Sequence, residues 1–550
     1  MEKFLQKNVY LITLWILCAV ALVFFMGHYG NIWLDVGREV YYPERVLAGK
    51  ILYKDLFVIY GPLAYLWNAV LYKILGTSLS TLYISGVLCS FAIVTAIYLI
   101  ATRFLNKFLS FAIGIFTLAT GVCSTTLFNF TFPYSWAMLY GTVLSLYSLL
   151  CLFKLCETQK NKYLYLAAFL SGAAVACKYD FLLYSLIVGF IILKSRDIKI
   201  ILKSLLAFCS VPLLAFGFLF VQGLNIQDIL YTVKILKSMT ETHALDYFYK
   251  HSGVYFSLPI LIYWVENFIK VSVGLGLTCS GVYLWRKNSE LASFIVVVGV
   301  IVTYFLTNPA IFAFLIGAVI ILALVTCKKI VMVKPLSLLV LSAVALSIKS
   351  LWGLTPLNYG NYYCALVLMA FCGVLFTLLK KDEYQKAMGI FILTVSLWFG
   401  IFYARQLPVL QTKIDSLRGD IYTTEEHASV INETLSLLNS TPQNTSVVVY
   451  PEGLIVNFLS KTSRISDDYF NSLLPLYVET FGEQVIIDNF EQSMPNYILF
   501  TNQNMSDYNS GYICRDYAQE FCKSVMKKYR HLGTFGEDFG IAVFKKMDVK

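Results

Sequence analysis

From residue 9 to 403 the chain reads as long apolar stretches parted by short clusters of Lys and Arg, and this pattern decides what it can fold into. A helix needs about 20 apolar residues to cross the hydrocarbon core of a bilayer. The sequence places thirteen such spans, at 9–26, 80–102, 108–126, 134–153, 163–177, 181–194, 200–221, 269–285, 291–307, 310–326, 336–350, 362–379 and 387–403. The 163–194 stretch also suits a short re-entrant pair. The 9–26 run is too long for the apolar core of a signal peptide and lacks an A-x-A cleavage site, so it reads as the first, retained membrane helix.

Composition closes off the water-soluble alternative. Hydrophobic residues make up 58% of the chain and charged ones 14%, against about 25% charged in a soluble domain. The net charge of +10 does not imply a nucleic-acid partner, because the basic residues form no single patch. They fall at Lys3/Lys7, Arg103/Lys107, Lys154/Lys160/Lys162, Lys194/Arg196/Lys199/Lys203, Arg286/Lys287, Lys328/Lys329/Lys334 and Lys380/Lys381/Lys386. The opposite short turns, 127–133 and 307–309, hold no Lys or Arg. By the positive-inside rule this predicts a multi-pass protein of the plasma (cytoplasmic) membrane with its N-terminus inside. An odd span count then puts the C-terminal segment outside. Three large outer segments follow: 27–79, 222–263 with an amphipathic stretch over Ile226–Met239, and 404–550.

The last of these has its own character, rich in Asn, Asp, Ser and Thr. Strand-like runs at Ser446–Tyr450, Val485–Asp488, Tyr497–Phe500 and Ile541–Phe544 alternate with helical patterns at 424–438, 452–460 and 515–530. Such alternation predicts a small outer α/β domain over 404–550, after a transmembrane domain over 1–403. Arg418-Gly419-Asp420 reads as a chance tripeptide in the linker between them. Of the 13 cysteines, all but Cys514 and Cys522 lie in apolar stretches as small hydrophobes. Within one continuous helix those two Cα atoms would stand about 12 Å apart, beyond the roughly 4.4–6.8 Å a disulfide spans. A bridge therefore requires Cys514 in the turn before the helix. No Cys/His spacing suggests a metal, and no glycine-rich phosphate loop suggests a nucleotide.

Outer loop one carries the densest chemistry: Trp33-Leu-Asp35-Val-Gly-Arg38-Glu39-Val-Tyr-Tyr42, then Ala48-Gly49, Tyr53-Lys-Asp55 and Tyr60-Gly61-Pro62-Leu63. Asp35, Arg38, Glu39 and Tyr42 share one helical face. A carboxylate just outside a membrane helix, flanked by Arg and Glu, can bind a polar ligand or take a proton; the same spacing also serves ordinary ion pairs on a solvated helix. A second feature is Ala176-Cys177-Lys178-Tyr179-Asp180 between two apolar segments. Charge at membrane depth is costly and so is functional or paired, and Asp180 offers a local partner. A third is Lys349 with Asn358-Tyr359-Gly360-Asn361-Tyr362-Tyr363 at the entry of the twelfth span. Tyr rings also anchor at membrane interfaces, and Lys349 could snorkel to the surface.

The order D-x-G-R-E, A-G-x-x-x-Y-x-D, Y-G-P-L resembles the first outer loop of GT-C glycosyltransferases, nearest the protein-mannosyltransferase and lipid A aminoarabinose-transferase group. The resemblance extends over the multi-span body and the C-terminal region. It implies a catalytic aspartate after the first membrane helix, here Asp35, and two surface helices at about 36–48 and 61–75. It further implies that Arg38, Glu39 and Asp55 orient the acceptor or Asp35. Lys178, with Tyr362 and Lys349, would hold the donor phosphate. The expected activity is inverting transfer of a monosaccharide from a polyprenyl-phosphate-linked donor to an outer-face lipid, glycan or protein, with no cofactor and no required divalent metal. An outer-face enzyme cannot reach cytosolic nucleotide sugars, so a lipid-carried donor is needed. A transporter or flippase of lipid-linked sugars is the main alternative, but transporters place polar or broken elements at the midplane, often in inverted repeats. A non-catalytic membrane scaffold is the other.

Overall fold

The computed structural model describes residues 2–33, 35–246, 257–285, 287, 289–306, 318–320, 324, 334–347, 359–379, 382–442, 445–462 and 474–547. Lys349 and most of the expected 310–326 span lie outside these residues. The body is a bundle of fifteen described helices: α1 Glu2–Phe25, α2 Val36–Leu47, α3 Leu63–Leu75, α4 Leu79–Ala101, α5 Lys107–Thr117, α6 Trp136–Thr158, α7 Asn161–Cys177, α8 Leu182–Lys194, α9 Ile198–Gln222, α10 Ile226–Thr240, α11 Leu258–Leu284, α12 Ser289–Leu306, α13 Lys334–Ser347, α14 Gly360–Leu379 and α15 Asp382–Ala404. Among the described residues, seven helices are long and apolar enough to cross a membrane.

Local chemistry sets many of these boundaries. Ser78, Asn106 and Ser135 accept hydrogen bonds from the backbone N–H three residues on, capping α4, α5 and α6, and Asn225 with Asp228 forms a capping box on α10. Outward faces stay apolar, with Phe24, Leu206, Leu214 and Val221 exposed, as expected of helices whose solvent is lipid. Helix α8 has 13 residues, a rise of about 20 Å, which is short of a bilayer core of about 30 Å. The two expected surface helices of loop one are present as α2 and α3.

The C-terminal region adds β1 Thr412–Lys413, β2 Tyr422–Thr423, α16 Glu425–Asn439, β3 Val447–Tyr450, α17 Leu454–Ser460, α18 Leu474–Phe481, α19 Glu483–Ser493, β4 Tyr497–Thr501, α20 Gln519–Lys528, β5 Tyr529–Phe535 and β6 Ile541–Lys546. The main sheet has strand order β3-β4-β6-β5. β3 and β4 are parallel, with Val448 opposite Ile498, while β6 runs antiparallel to both β4 and β5. Strands β3 and β4 are buried at every position, which is why they read as continuous apolar runs.

Three expectations need correction. The 485–488 run is helical, in α19: Ile486 and Phe490 sit four residues apart and bury one face, whereas Val485 is exposed. The helix expected over 515–530 covers only Gln519–Lys528; the chain then turns into β5, which pairs with β6. Nor is Arg418 in a free linker. It is buried, ion-paired with Glu44, donates from Nη1 to the Thr77 carbonyl at 3.1 Å and stacks over Phe458. Leu79 N–H donates to its carbonyl at 2.7 Å, so this segment straps the C-terminal region to the α3–α4 corner. Cys514 and Cys522 are bridged with Cα atoms 5.5 Å apart, because Cys514 lies in a turn ahead of α20.

Loop one, α10 and the C-terminal region meet. Phe57, Ile235, Met239, Val448, Tyr477 and Phe500 belong to one buried cluster. The three segments that the charge pattern assigns to one side therefore share a core.

Candidate functional site

Helix α2 is the keystone of the site. Asp35 caps its N-terminus with φ at 59°, in the left-handed region, and its carboxylate pairs with Arg38 one turn on. The Asp35 side chain keeps 28% exposure while that of Arg38 keeps 8%. Glu39 is buried, accepting from the Tyr65 hydroxyl at 3.0 Å and from the Trp136 backbone N–H at 2.8 Å. It thus satisfies a free N–H at the positive end of α6 and locks loop one to a membrane helix. Burial raises the Glu39 carboxyl above the usual carboxylate range, against the lowering pull of Trp136 N–H, Arg38, Tyr65 and Lys178. With Tyr42 also buried, this face is not a solvated strip of ion pairs. It is packed inward, against the start of α6 and the end of α17.

Two glycines of the loop-one motifs explain why it packs this way. A Cβ on Gly37 would come 2.5 Å from the Ile455 backbone nitrogen, so glycine lets α17 of the C-terminal region lie directly on α2. A Cβ on Gly61 would overlap the Ala176 carbonyl, so glycine lets the Tyr60-Gly61-Pro62 turn press against the end of α7. Two motifs that look independent in sequence are thereby one structural unit.

At that junction α7 ends and Lys178 takes an extended conformation. Its side chain is 5% exposed, and its ammonium lies 3.3 Å from Asp180. The rings of Tyr60, Tyr359 and Tyr134 surround it at 4.5, 5.4 and 5.9 Å from their centroids, within cation–π range. Burial works against its charge, while the ring faces of Tyr359 and Tyr60 and the Asp180 carboxylate favour the ammonium form and push its pKa up. A fixed cation in a water-poor pocket exerts far more force on a nearby anion than one in water. Beside it lies an apolar cavity of about 330 Å³, lined by Leu63, Trp67, Tyr140, Phe169, Ala173 and Cys177 among others.

The remaining sequence-predicted residues fall differently. Tyr362 is buried, donates to the Asn129 carbonyl at 3.4 Å and packs against the Phe130 ring, with ring centroids 5.9 Å apart. Asp55 is committed to its own turn, accepting from Ile51 N–H at 2.8 Å. Among the described residues no group of three or more His, Cys, Asp or Glu is placed to hold a metal ion. Sequence reading missed Tyr134 and gave Tyr60 and Tyr359 no role, although both of the latter sit in quoted Tyr-Gly motifs. It missed Glu452 altogether, a buried acid of the C-terminal region whose charge bears on Arg38.

No protein-family model matches the chain, and no curated protein matches it. Solved structures do. The structure of ArnT from Cupriavidus metallidurans bound to undecaprenyl phosphate is similar over 98% of both chains, at 13% identity and a TM-score of 0.47. The Archaeoglobus fulgidus oligosaccharyltransferase, in complex with zinc and sulfate, is similar over 88% of this chain and 67% of its own, at 11% identity and a TM-score of 0.47.

Proposed function

We propose that this chain is an integral-membrane glycosyltransferase that moves one sugar from a polyprenyl-phosphate carrier to a hydroxyl of an outer-face lipid, glycan or protein. One observation carries the reading: helix α2 presents a partly exposed carboxylate, Asp35, while Glu39 on its next turn is within the field of the caged cation Lys178. A base open to an acceptor and a sealed partner for phosphate are the two groups such a transfer needs. The apolar cavity beside Cys177 offers room for the start of a carrier lipid. The resemblance of the loop-one motifs points to the same donor class.

In this mechanism Asp35 accepts the proton of the acceptor hydroxyl. The acceptor oxygen attacks the anomeric carbon on the face opposite the phosphate and forms the new glycosidic bond. The old carbon–oxygen bond breaks, and its electron pair leaves on the polyprenyl phosphate. A single displacement of this kind inverts the anomeric centre. Lys178 stabilises the charge that grows on the phosphate, a fixed electrostatic contribution of the type that often dominates catalysis. Arg38 and Glu39 hold α2 and hence Asp35 in place. Tyr362 and Lys349 are assigned to the donor side from sequence alone. On this reading the site faces the outer side of the plasma membrane with the N-terminus inside, the orientation that the positive-inside pattern favours.

Deletion of the gene followed by mass spectrometry of envelope lipids, glycans and glycoproteins tests this reading. The expected result is one glycoconjugate lighter by a single sugar, with its polyprenyl-phosphate sugar accumulating on the outer face. The same donor stranded on the inner face would instead identify a flippase, and an unchanged inventory would leave a scaffold.

A further inference from the structure

One buried acid has no part in the mechanism above. Glu452 lies between β3 and α17 at 2% exposure. Its charge bears on Arg38 from a different part of the chain, two residues ahead of the α17 end that lies against Gly37. The approach is built in: Gly37 admits the N-terminal end of α17 onto α2, and a Cβ at Gly453, next to Glu452, would lie in ordinary contact with the Trp33 ring, at 3.6 Å. Trp33 in turn packs on Phe539, with ring centroids 4.8 Å apart. Loop one and the C-terminal region are clamped together at this point.

Besides Glu39, Arg38 therefore feels two carboxylates of different standing. Asp35 is partly open, whereas Glu452 is sealed. The Arg38 guanidinium pairs with Asp35, yet its Nε is buried with no hydrogen-bond partner among the described residues. A guanidinium carries five donors in a planar fork and can serve two acids.

This matters because a carboxylate held tightly by arginine is a poor base: an adjacent Arg lowers its proton affinity by roughly 1–3 pH units. Asp35 must let go of Arg38, in whole or in part, when it takes a proton. The buried charge cannot then be left alone, since an unpaired charge away from water is very costly. The other groups around Arg38 cannot take it over. Glu39 already accepts from Tyr65 and Trp136 N–H, and burial pushes its carboxyl up to about 7, so it offers Arg38 the weaker charge. Tyr60, Tyr65 and Tyr508 are kept neutral by burial, and Tyr42 is a buried phenol. Lys178 carries the wrong sign.

We propose that Glu452 is a positioning residue that holds Arg38 while the acceptor hydroxyl gives its proton to Asp35, so that the C-terminal region completes the site instead of merely covering it. The proposal rests on the reading of Asp35 as the base.

The test compares Glu452→Gln and Glu452→Asp in the full-length protein, reading kcat, donor KM and the pH dependence of kcat. With Gln, Arg38 bears on Asp35 alone. Asp35 then stays deprotonated to lower pH but is a weaker base. The expected result is a kcat lower by roughly 10- to 100-fold, an unchanged donor KM, and an acid limb moved to lower pH. Glu452→Asp keeps the charge and should restore most of the rate and the position of the limb. In an Arg38→Gln background, adding Glu452→Gln should change neither rate nor limb further. This double variant removes both charges of the pair and serves if the single Gln variant does not fold.

A wild-type rate and limb in Glu452→Gln, an equal loss in Gln and Asp with no movement of the limb, or an additive loss in the double variant would each overturn the proposal. If Asp35→Asn is inactive while Glu452→Gln is normal, only the role of Glu452 falls. If Asp35→Asn keeps its rate, the base assignment fails and the role of Glu452 fails with it.

Discussion

The two charged corners of the site are built in opposite ways. At the Lys178 corner the ammonium is sealed at 5% exposure inside a ring of tyrosines, with Asp180 as its counter-ion. At the α2 corner Asp35 keeps 28% exposure and pairs with the buried guanidinium of Arg38, on which the charge of Glu452 also bears. The contrast follows from what each group must meet. A phosphate partner gains strength from a dry, fixed surround. On the proposed reading a base must be reached by an acceptor arriving from water, which suits the partly open position of Asp35.

If this division is right, variants at the two corners differ in kind as well as in size. The largest effect belongs to Asp35→Asn, which keeps size and hydrogen bonding but removes the base. Transfer should fall by about 10²- to 10⁴-fold, with expression and folding unchanged in a detergent-solubility profile. Near-normal transfer would erase the distinction between the corners. A smaller effect is expected from Arg418→Ala, away from the chemistry. It removes the pair with Glu44 and the bond to Thr77, at about 1.5–3 kcal/mol for hydrogen bonds to a charged group. Limited proteolysis should cut between residues 404 and 424 sooner, and transfer should drop several-fold as the C-terminal region loosens from α2. The smallest belongs to Arg45→Ala. Arg45 is partly exposed and rests over the Tyr41 ring at 5.7 Å, a contact worth about 0.5–1 kcal/mol, so kcat and KM should stay within about twofold.

How much of this was legible in the sequence depends on the distance over which each feature is determined. The two loop-one helices and most of the described membrane helices follow from apolar period, with bounds close to expectation; α11 is an exception, starting at Leu258 where the apolar run suggested 269. The strands β3 and β4 were readable for the same reason, since burial at every position leaves an unbroken apolar run. The 485–488 segment misled because a run of β-branched residues imitates a strand, while the burial of Ile486 and Phe490 is decided by tertiary packing. Within the site, Asp35, Arg38, Glu39 and Lys178 stand out because charge beside a membrane helix is expensive. The role of Asp55 in its own turn, the strapping role of Arg418 and the approach of Glu452 to Arg38 could not be read. Each depends on partners far away in the chain: 374 positions separate Glu44 from Arg418.

The division of labour between the corners can be measured without turnover. Equilibrium binding of a fluorescent polyprenyl phosphate to the purified, full-length protein isolates the donor side. Lys178→Ala should bind it roughly 10- to 100-fold more weakly, the loss of a charge-assisted contact, while Asp35→Asn should bind as the unaltered protein does. Undiminished binding by Lys178→Ala, or a loss confined to Asp35→Asn, would contradict the assignment of the sealed corner to the donor phosphate and the open one to the acceptor.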